Sequence, residues 1–544
     1  MRCGAYFLVL LLALYVQWVV APQNVNDDDY LGHEDVIEGL GRDIRVWWFV
    51  PKTEYMKDED VLVKLNAELE AFAVKKKGKP EHVYRSHSDN LGTIFFTIKL
   101  FLNYDPEEIW EANNAYLLSY GEVPYTPDNI DVIQDHEDLK KIKLKPGPQN
   151  PKGKLEQNNT LTARSADLIF SRAKDPKEVE VYEEPFEDMQ KLSQPKDIPL
   201  SDLRGQYYRR AAKGQDSTIY MLDSGAWIAE GHKHKELSGI RIVDYIWAGP
   251  DPGTDMVDSW RFFYHGTKVL SRIAGQRLGT APNANIVVVQ VINKFGYVTV
   301  AHMFDAILRT YDHIVRTKPK FAILNMSVSI ATGDPSGTYP RGTEIIHKIK
   351  KDYDGVDASP EQEATGVLTT PEAVLRFSRY LFEHIEKLGN VKVVTCTSNY
   401  EEDQLGLPAE EMKRFPKTVV TVGSTGLDDR AVYQYWEEVR VYVPASNTMV
   451  AYYDYHDDSP VLLPVDGVSF GTGSVSGMLA TFVSEGVPIE DVVEHLYKLA
   501  HSRKPPDVED PEGYYTPIAF NGVERSEWPD TMGDEECLEE YILP

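Results

Sequence analysis

Between about residues 205 and 505, short β-prone runs alternate with stretches of helical spacing, and this alternation restricts the fold more than any other feature. "STIYMLD", "NIVVVQVI", "FAILNMSV", "VKVVTCTS" and "TVVTVGS" are apolar runs of strand length. "VTVAHMFDAILRTYDHIVR" and "PEAVLRFSRYLFEHIEKLG" lie between them and carry apolar residues at helical intervals. Buried strands separated by helices predict an α/β domain over 201–505, a parallel sheet with helices on both faces. In such a sheet, chemistry gathers beyond the C-terminal ends of the strands. Residues 331–370, rich in Gly, Pro, Asp and Thr, are expected to form an insertion between a strand and a helix.

The segment in front has a different order. "DIRVWWFVP" and "GTIFFTIKLF" read as strands, and "DEDVLVKLNAELEAFAV" as a helix with Val61, Leu65, Leu69 and Phe72 on one face. "DPEEIWEAN" reads as a second helix, capped by Asp105 with Pro106 at its first position, and "NIDVIQ" as a last strand. This order predicts a small α+β (ferredoxin-like) domain within 22–140. Residues 141–200 read as a polar linker with a glycosylation sequon at Asn158-Asn159-Thr160, and 506–544 as an acidic C-terminal tail. Arg209-Arg210 is either a dibasic processing site or a solvated pair.

At the N-terminus Arg2 precedes an apolar run from Ala5 to Ala21, short for a membrane span and suited to a secretory signal over 1–21. The expected location is therefore extracellular, or at the membrane if the signal stays as an anchor. The formal net charge of −28 argues against nucleic acid and anionic membrane as partners. Of the three cysteines, Cys3 would leave with the signal. Cys396 either pairs with Cys537 or is a buried thiol.

Four polar signatures stand at expected strand ends and helix starts. They are Asp223-Ser224-Gly225, His265-Gly266-Thr267, "VVTCTSN" ending at Asn399, and "FGTGSVSGMLATF". In this order they resemble the subtilisin-like serine peptidases, the subtilases. "GHKHKELSGIRI", "LGTAPNANIVVVQV" and "ILNMSVSI" resemble further segments of that family, and the α+β domain resembles its inhibitor-type propeptide. The resemblance implies that Asp223 orients the imidazole, His265 is the general base, and Asn399 donates to the oxyanion. It also implies that Ser327, Val328 and Ser329 lie on the strand that pairs with substrate. A serine hydroxyl is a weak nucleophile until a positioned base takes its proton, hence the need for the three side chains together.

The nucleophile is the departure. The family pattern Gly-Thr-Ser-x-Ala-Ser/Thr-Pro-x-x-Ala, laid on Gly471, Thr472, Ser476 and Ala480, puts Gly473 in the serine slot. Ser474 stands one step further along. Consecutive residues of a helix are rotated by about 100°, so that step turns its hydroxyl away from the imidazole. Ser398, Ser329 and Gly477 also depart from the family's residues. The expectation is an impaired peptidase. The alternatives are an active endopeptidase using Ser474, or a secreted polypeptide-binding protein or scaffold. Expected partners are a polypeptide and the chain's own propeptide-like domain. No cofactor is expected. Calcium is common in the family, but no loop has its ligand spacing. His232, His234, Glu230 and Glu236 read as a surface loop rather than a metal site.

Overall fold

The computed structural model describes residues 44–101, 104–122, 175–183, 186–227, 234–249, 258, 264–291, 300–328, 370–399, 405–454, 459–505, 508–510 and 513–529. The expected signal, the sequon, Ser329, the 331–369 insertion, His232, Glu230, Cys537 and the last 15 residues of the tail lie outside them.

The first unit runs β1 (Ile44–Pro51), α1 (Glu59–Lys75), β2 (Val83–Ser88), β3 (Gly92–Phe101), α2 (Glu107–Asn113) and β4 (Leu117–Glu122). Its strands form an antiparallel sheet in the order β2-β3-β1-β4. The closing strand is "LLSYGE"; "NIDVIQ" lies outside the described residues. The Asp58 side chain accepts the Val61 N–H and caps α1. The buried stripe of α1 is Leu62, Leu65, Leu69 and Phe72, with Leu62 replacing Val61. Asp105 accepts the Glu107 N–H at 2.9 Å, one position earlier than a true cap. Alternation along β1 serves two cores. Phe49 packs under α1, while Trp48 and Val50 face the larger domain.

The chain continues through β5 (Val179–Glu183), α3 (Glu187–Leu192) and β6 (Gln206–Arg210). Residues 179–183 and 186–200, expected as linker, therefore carry structure, with Asp188, Met189 and Leu192 buried. Arg209-Arg210 is neither a solvated pair nor an open processing site. Both lie on β6, Arg209 buried over the Tyr182 ring at 4.1 Å and Arg210 paired with Glu485 and Glu527.

The large domain is built on β7 (Ser217–Asp223), β8 (Arg241–Trp247), β9 (Asn285–Gln290), β10 (Phe321–Met326), β11 (Val391–Cys396), β12 (Val419–Thr425) and β13 (Val441–Pro444). All seven pair in parallel, in the order β13-β12-β11-β10-β7-β9-β8. The helices are α4 (His265–Ala274), α5 (Val300–Thr317), α6 (Thr370–Lys387), α7 (Val468–Ser484) and α8 (Val492–Leu499), with a hairpin of β14 (Thr448–Asp454) and β15 (Ser459–Val465) ahead of α7. α5 and α6 cover one face of the sheet. α4, α7 and α8 cover the other. The α/β architecture expected from the alternation is the one observed. Part of the segment expected as an acidic tail is packed: Ile518, Ala519 and Val523 are buried, and Trp528 stacks on Tyr208 at 4.0 Å.

The strand order positions the site. From β7 the chain goes to the edge strand β8, returns to β9 between the two, then crosses to β10 on the far side of β7 and continues outward that way. The crevice of an open α/β sheet opens at such a reversal. Here it opens beyond Asp223, the last residue of β7.

Candidate functional site

Parallel pairing brings the strand ends to one edge of the sheet, and that edge collects the polar signatures. Asp223 ends β7, Ser327 and Val328 follow β10, and Asn399 follows β11. Two helices start at the same edge, α4 at His265 and α7 at Val468.

His265 Nδ1 is 2.8 Å from Asp223 Oδ1, an oxygen that also accepts the Ser224 N–H at 2.7 Å. Burial works against a charged ring, but the charge and hydrogen bond of Asp223 outweigh it and hold His265 above its ordinary value. Asn399 is exposed, and its Oδ1 accepts the Val468 N–H at 2.9 Å. With the oxygen so engaged, the amide nitrogen is the end that can donate outward.

The start of α7 is where structure and sequence expectation part. The helix begins at Val468 behind Gly467, whose φ of 149° is a conformation suited to glycine. Ser469 is thus in the first turn, next to Phe470, whose ring centroid is 5.5 Å from that of His265. Ser469 Oγ donates to the Ser327 carbonyl at 3.3 Å, and Ser327 Oγ donates to the Ser469 carbonyl at 3.1 Å. Asn325 Nδ2 donates to Ser327 Oγ at 3.0 Å, and Ser476 Oγ to Asn325 Oδ1 at 2.9 Å. A chain of side chains from β10 therefore braces this turn.

Gly473 and Ser474 stand more than a turn further along. A Cβ on Gly473 would lie 3.0 Å from the Val269 carbonyl and 3.2 Å from Arg272 Cβ, inside the α4–α7 contact. Ser474 is 1% exposed, and its Oγ accepts from Arg272 Nε at 3.2 Å and donates to the Phe470 carbonyl at 3.4 Å. The placement of Gly473 in the serine slot is corrected on this ground, and so is Ser474 as its replacement. Both belong to a helix–helix interface. The reason is register: Gly471-Thr472 attracts the family pattern but lies inside the helix. Laid four residues earlier, the pattern meets Gly467, Ser469 and Thr472, with small residues at 471 and 476. In this register a serine stands two residues after the glycine that opens the helix.

Sequence reasoning also passed over Asp258. It is 4% exposed, and its Oδ2 accepts the Thr267 N–H and hydroxyl, each at 2.6 Å. Of the residues weighed for metal, His234 Nε2 lies 3.0 Å from the Val461 carbonyl, and Glu236 accepts the Arg277 and Leu278 N–H groups. No metal-holding cluster occurs among the described residues. Cys396 is buried, its Sγ 4.0 Å from the Met326 carbonyl. No helix among the described residues is long and apolar enough to cross a membrane.

No protein-family model matches the chain. Among curated proteins it is similar to "Subtilisin-like protease 2" of Trichophyton equinum, of Trichophyton verrucosum and of Arthroderma benhamiae. Each is 30% identical over 148 residues, which is 26% of this chain and 32% of the relative. The match thus spans about a third of the length of those relatives. Among solved structures, one described as a cold adapted subtilisin-like serine proteinase aligns with a TM-score of 0.41 and 20% identity, over 62% of this chain and 98% of that one. The motifs at the strand ends and the sequence match to subtilisin-like proteases support assigning this chain to the subtilase family.

Proposed function

We propose that the chain is a secreted serine endopeptidase of the subtilisin type, with Ser469 as its nucleophile. The observation that carries this reading is the position of Ser469 in the first turn of α7, flanked in sequence by Val468, whose N–H goes to Asn399, and by Phe470, whose ring meets that of His265. His265 takes the Ser469 proton as base and returns it to the leaving amine, while Asp223 holds the imidazole tautomer and stabilises its charged form. Asn399 Nδ2 and backbone N–H groups at the helix start receive the oxyanion. Ser327 and Val328 lie along the substrate backbone. Ser469 Oγ must swing from the Ser327 carbonyl to His265 before attack. Catalytic hydrogen bonds commonly tighten only once substrate binds.

The expectation of impairment rests on Gly473 in the serine slot together with Ser398, Ser329 and Gly477, and with Ser469 in the first turn of α7 the first of these grounds falls away. The substrate class is polypeptide. The α+β unit over 44–122 acts as an inhibitor-type propeptide, and residues 1–21 as the secretory signal.

A fluorophosphonate probe tests the reading, because it reacts with an activated serine and not with an ordinary hydroxyl. Mass spectrometry is expected to place the adduct on Ser469. Labelling should vanish in Ser469→Ala and His265→Ala and persist in Ser474→Ala. An adduct on Ser474, or none on the native chain, would overturn it.

A further inference from the structure

Behind the Asp223–His265 pair lies a second buried carboxylate that the mechanism above leaves unused. Ser224 Oγ accepts the Gly266 N–H at 2.8 Å, lies 3.2 Å from Asp223 Oδ1, and makes a short hydrogen bond to Asp258 Oδ1. A hydroxyl has one proton to give, so only one carboxylate receives it at a time. The other Asp258 oxygen holds the Thr267 N–H and hydroxyl, and Thr267 Oγ1 accepts the Trp227 N–H at 2.8 Å. Tyr264, the residue before α4, has φ 55° and makes no side-chain cap. Asp258, seven positions before His265, supplies the carboxylate that a helix start favours.

Asp223 is sensitive to that single proton. Its Oδ2 is buried with no hydrogen-bond donor among the described residues, so its donors gather on Oδ1.

We propose that Asp258 is a positioning residue whose carboxyl, through the Ser224 hydroxyl, sets how strongly Asp223 holds His265. The inference rests on the reading of Asp223 and His265 as orienting acid and base. When Asp258 is ionised it accepts the Ser224 proton. Asp223 Oδ1 then has one donor fewer and pulls harder on His265 Nδ1–H, favouring the imidazolium. When Asp258 takes a proton from solvent, its O–H donates to Ser224 Oγ. The Ser224 proton swings to Asp223 Oδ1, and the pull on His265 weakens. Apart from that one proton, only hydrogen bonds change partners.

Burial pushes the Asp258 carboxyl up to about 7 against the Ser224 and Thr267 hydrogen bonds, with the Asp223 charge adding to the rise. Both forms are therefore populated near neutral pH. The titratable groups coupled to Asp258 are Asp223 at the end of β7, His265 and Lys268 on α4, and Tyr245 on β8.

The test is Asp258→Asn in the full chain. Asparagine keeps an acceptor for Thr267 and a donor for Ser224, but it does not titrate. The His265 ring titration, followed by NMR, is expected to move to lower pH, and the acidic limb of kcat/KM to move with it. Asp258→Ala should lose about a hundredfold in kcat through a misplaced imidazole, and Asp258→Asn should recover most of that loss. An unchanged His265 midpoint in Asp258→Asn overturns the proposal. The midpoint is read from the ring, so it does not depend on Ser469. A shifted midpoint without fluorophosphonate labelling would leave this relay standing and overturn the peptidase reading instead.

Discussion

Ser474 and Gly473 show how one residue type takes its meaning from its place on a helix. Ser474 looks like a nucleophile in a small-residue turn, yet its hydroxyl serves the buried Arg272. Gly473 looks like a lost serine, yet its missing Cβ is what lets α4 approach α7. The consequence is measurable. Gly473→Ser places a hydroxymethyl against the Val269 carbonyl, and overpacking of this kind costs about 1–3 kcal/mol. Urea unfolding should show that loss, with no gain in peptide-ester hydrolysis over the native chain. A folded Gly473→Ser protein of higher activity would return the nucleophile slot to position 473. Asp223 and His265 were legible because a strand end and a helix start mark each of them in the sequence. The register that puts forward Ser469 was less legible, because two registers of one pattern compete there and what favours it is the first turn of α7, which the sequence does not mark.

At the scale of elements, the α4–α7 pair is the part of the scaffold that aims the chemistry. The two helices run side by side from the His265–Phe470 contact to Gly477, where a Cβ would lie 3.0 Å from the Ile273 carbonyl of α4. Arg272 locks the pair to its surroundings. It is 1% exposed and bonded to Ser474 Oγ, to the Met449 carbonyl on β14 and, at 2.8 Å, to Asp188 on α3. Removing one partner of a buried ion pair strands the other charge, at a cost of about 3–5 kcal/mol. Asp188→Ala should therefore lower stability by about that much in urea unfolding, whereas Asp188→Asn, which keeps an acceptor, should lose less. Equal losses would show that the Arg272 charge is not what Asp188 serves. The sheet and its helices were readable because strands buried on both faces must be apolar throughout. The α3 segment was not, because six residues such as "EDMQKL" carry a buried Asp and Lys whose charges are met by Arg272 and Asp429 far along the chain. Local composition reads them as linker.

In the whole molecule, the α+β unit and the large domain are joined at one seam, along α5 and α6. Trp48 and Phe95 both lie 6.1 Å from Phe377, and this apolar contact is rimmed by two acids of α5. Ser88 Oγ and Asn90 Nδ2 donate to Asp312 at 2.7 and 2.6 Å. Asp305 accepts from Ser86 Oγ at 2.6 Å and from Tyr84 Oη at 2.7 Å, and also from the Gly249 N–H and Arg309 Nε. Burial and the Asp305 charge push the Tyr84 phenol well up, so it remains a donor at any working pH. Hydrogen bonds to a charged acceptor contribute about 1.5–3 kcal/mol each. The loss of two of them in Asp305→Ala should therefore loosen the seam by about 3–6 kcal/mol. The units keep separate apolar clusters beneath α1 and beneath α7, so the loosening should stay local. Hydrogen exchange is the measurement. The β2 amides should lose protection by about a hundredfold or more, while those of α7 hold theirs, since each tenfold step is about 1.4 kcal/mol. Equal loss at α7 would mean that the two units unfold as one body, and the α+β unit would then be part of the large domain's fold rather than a docked inhibitor.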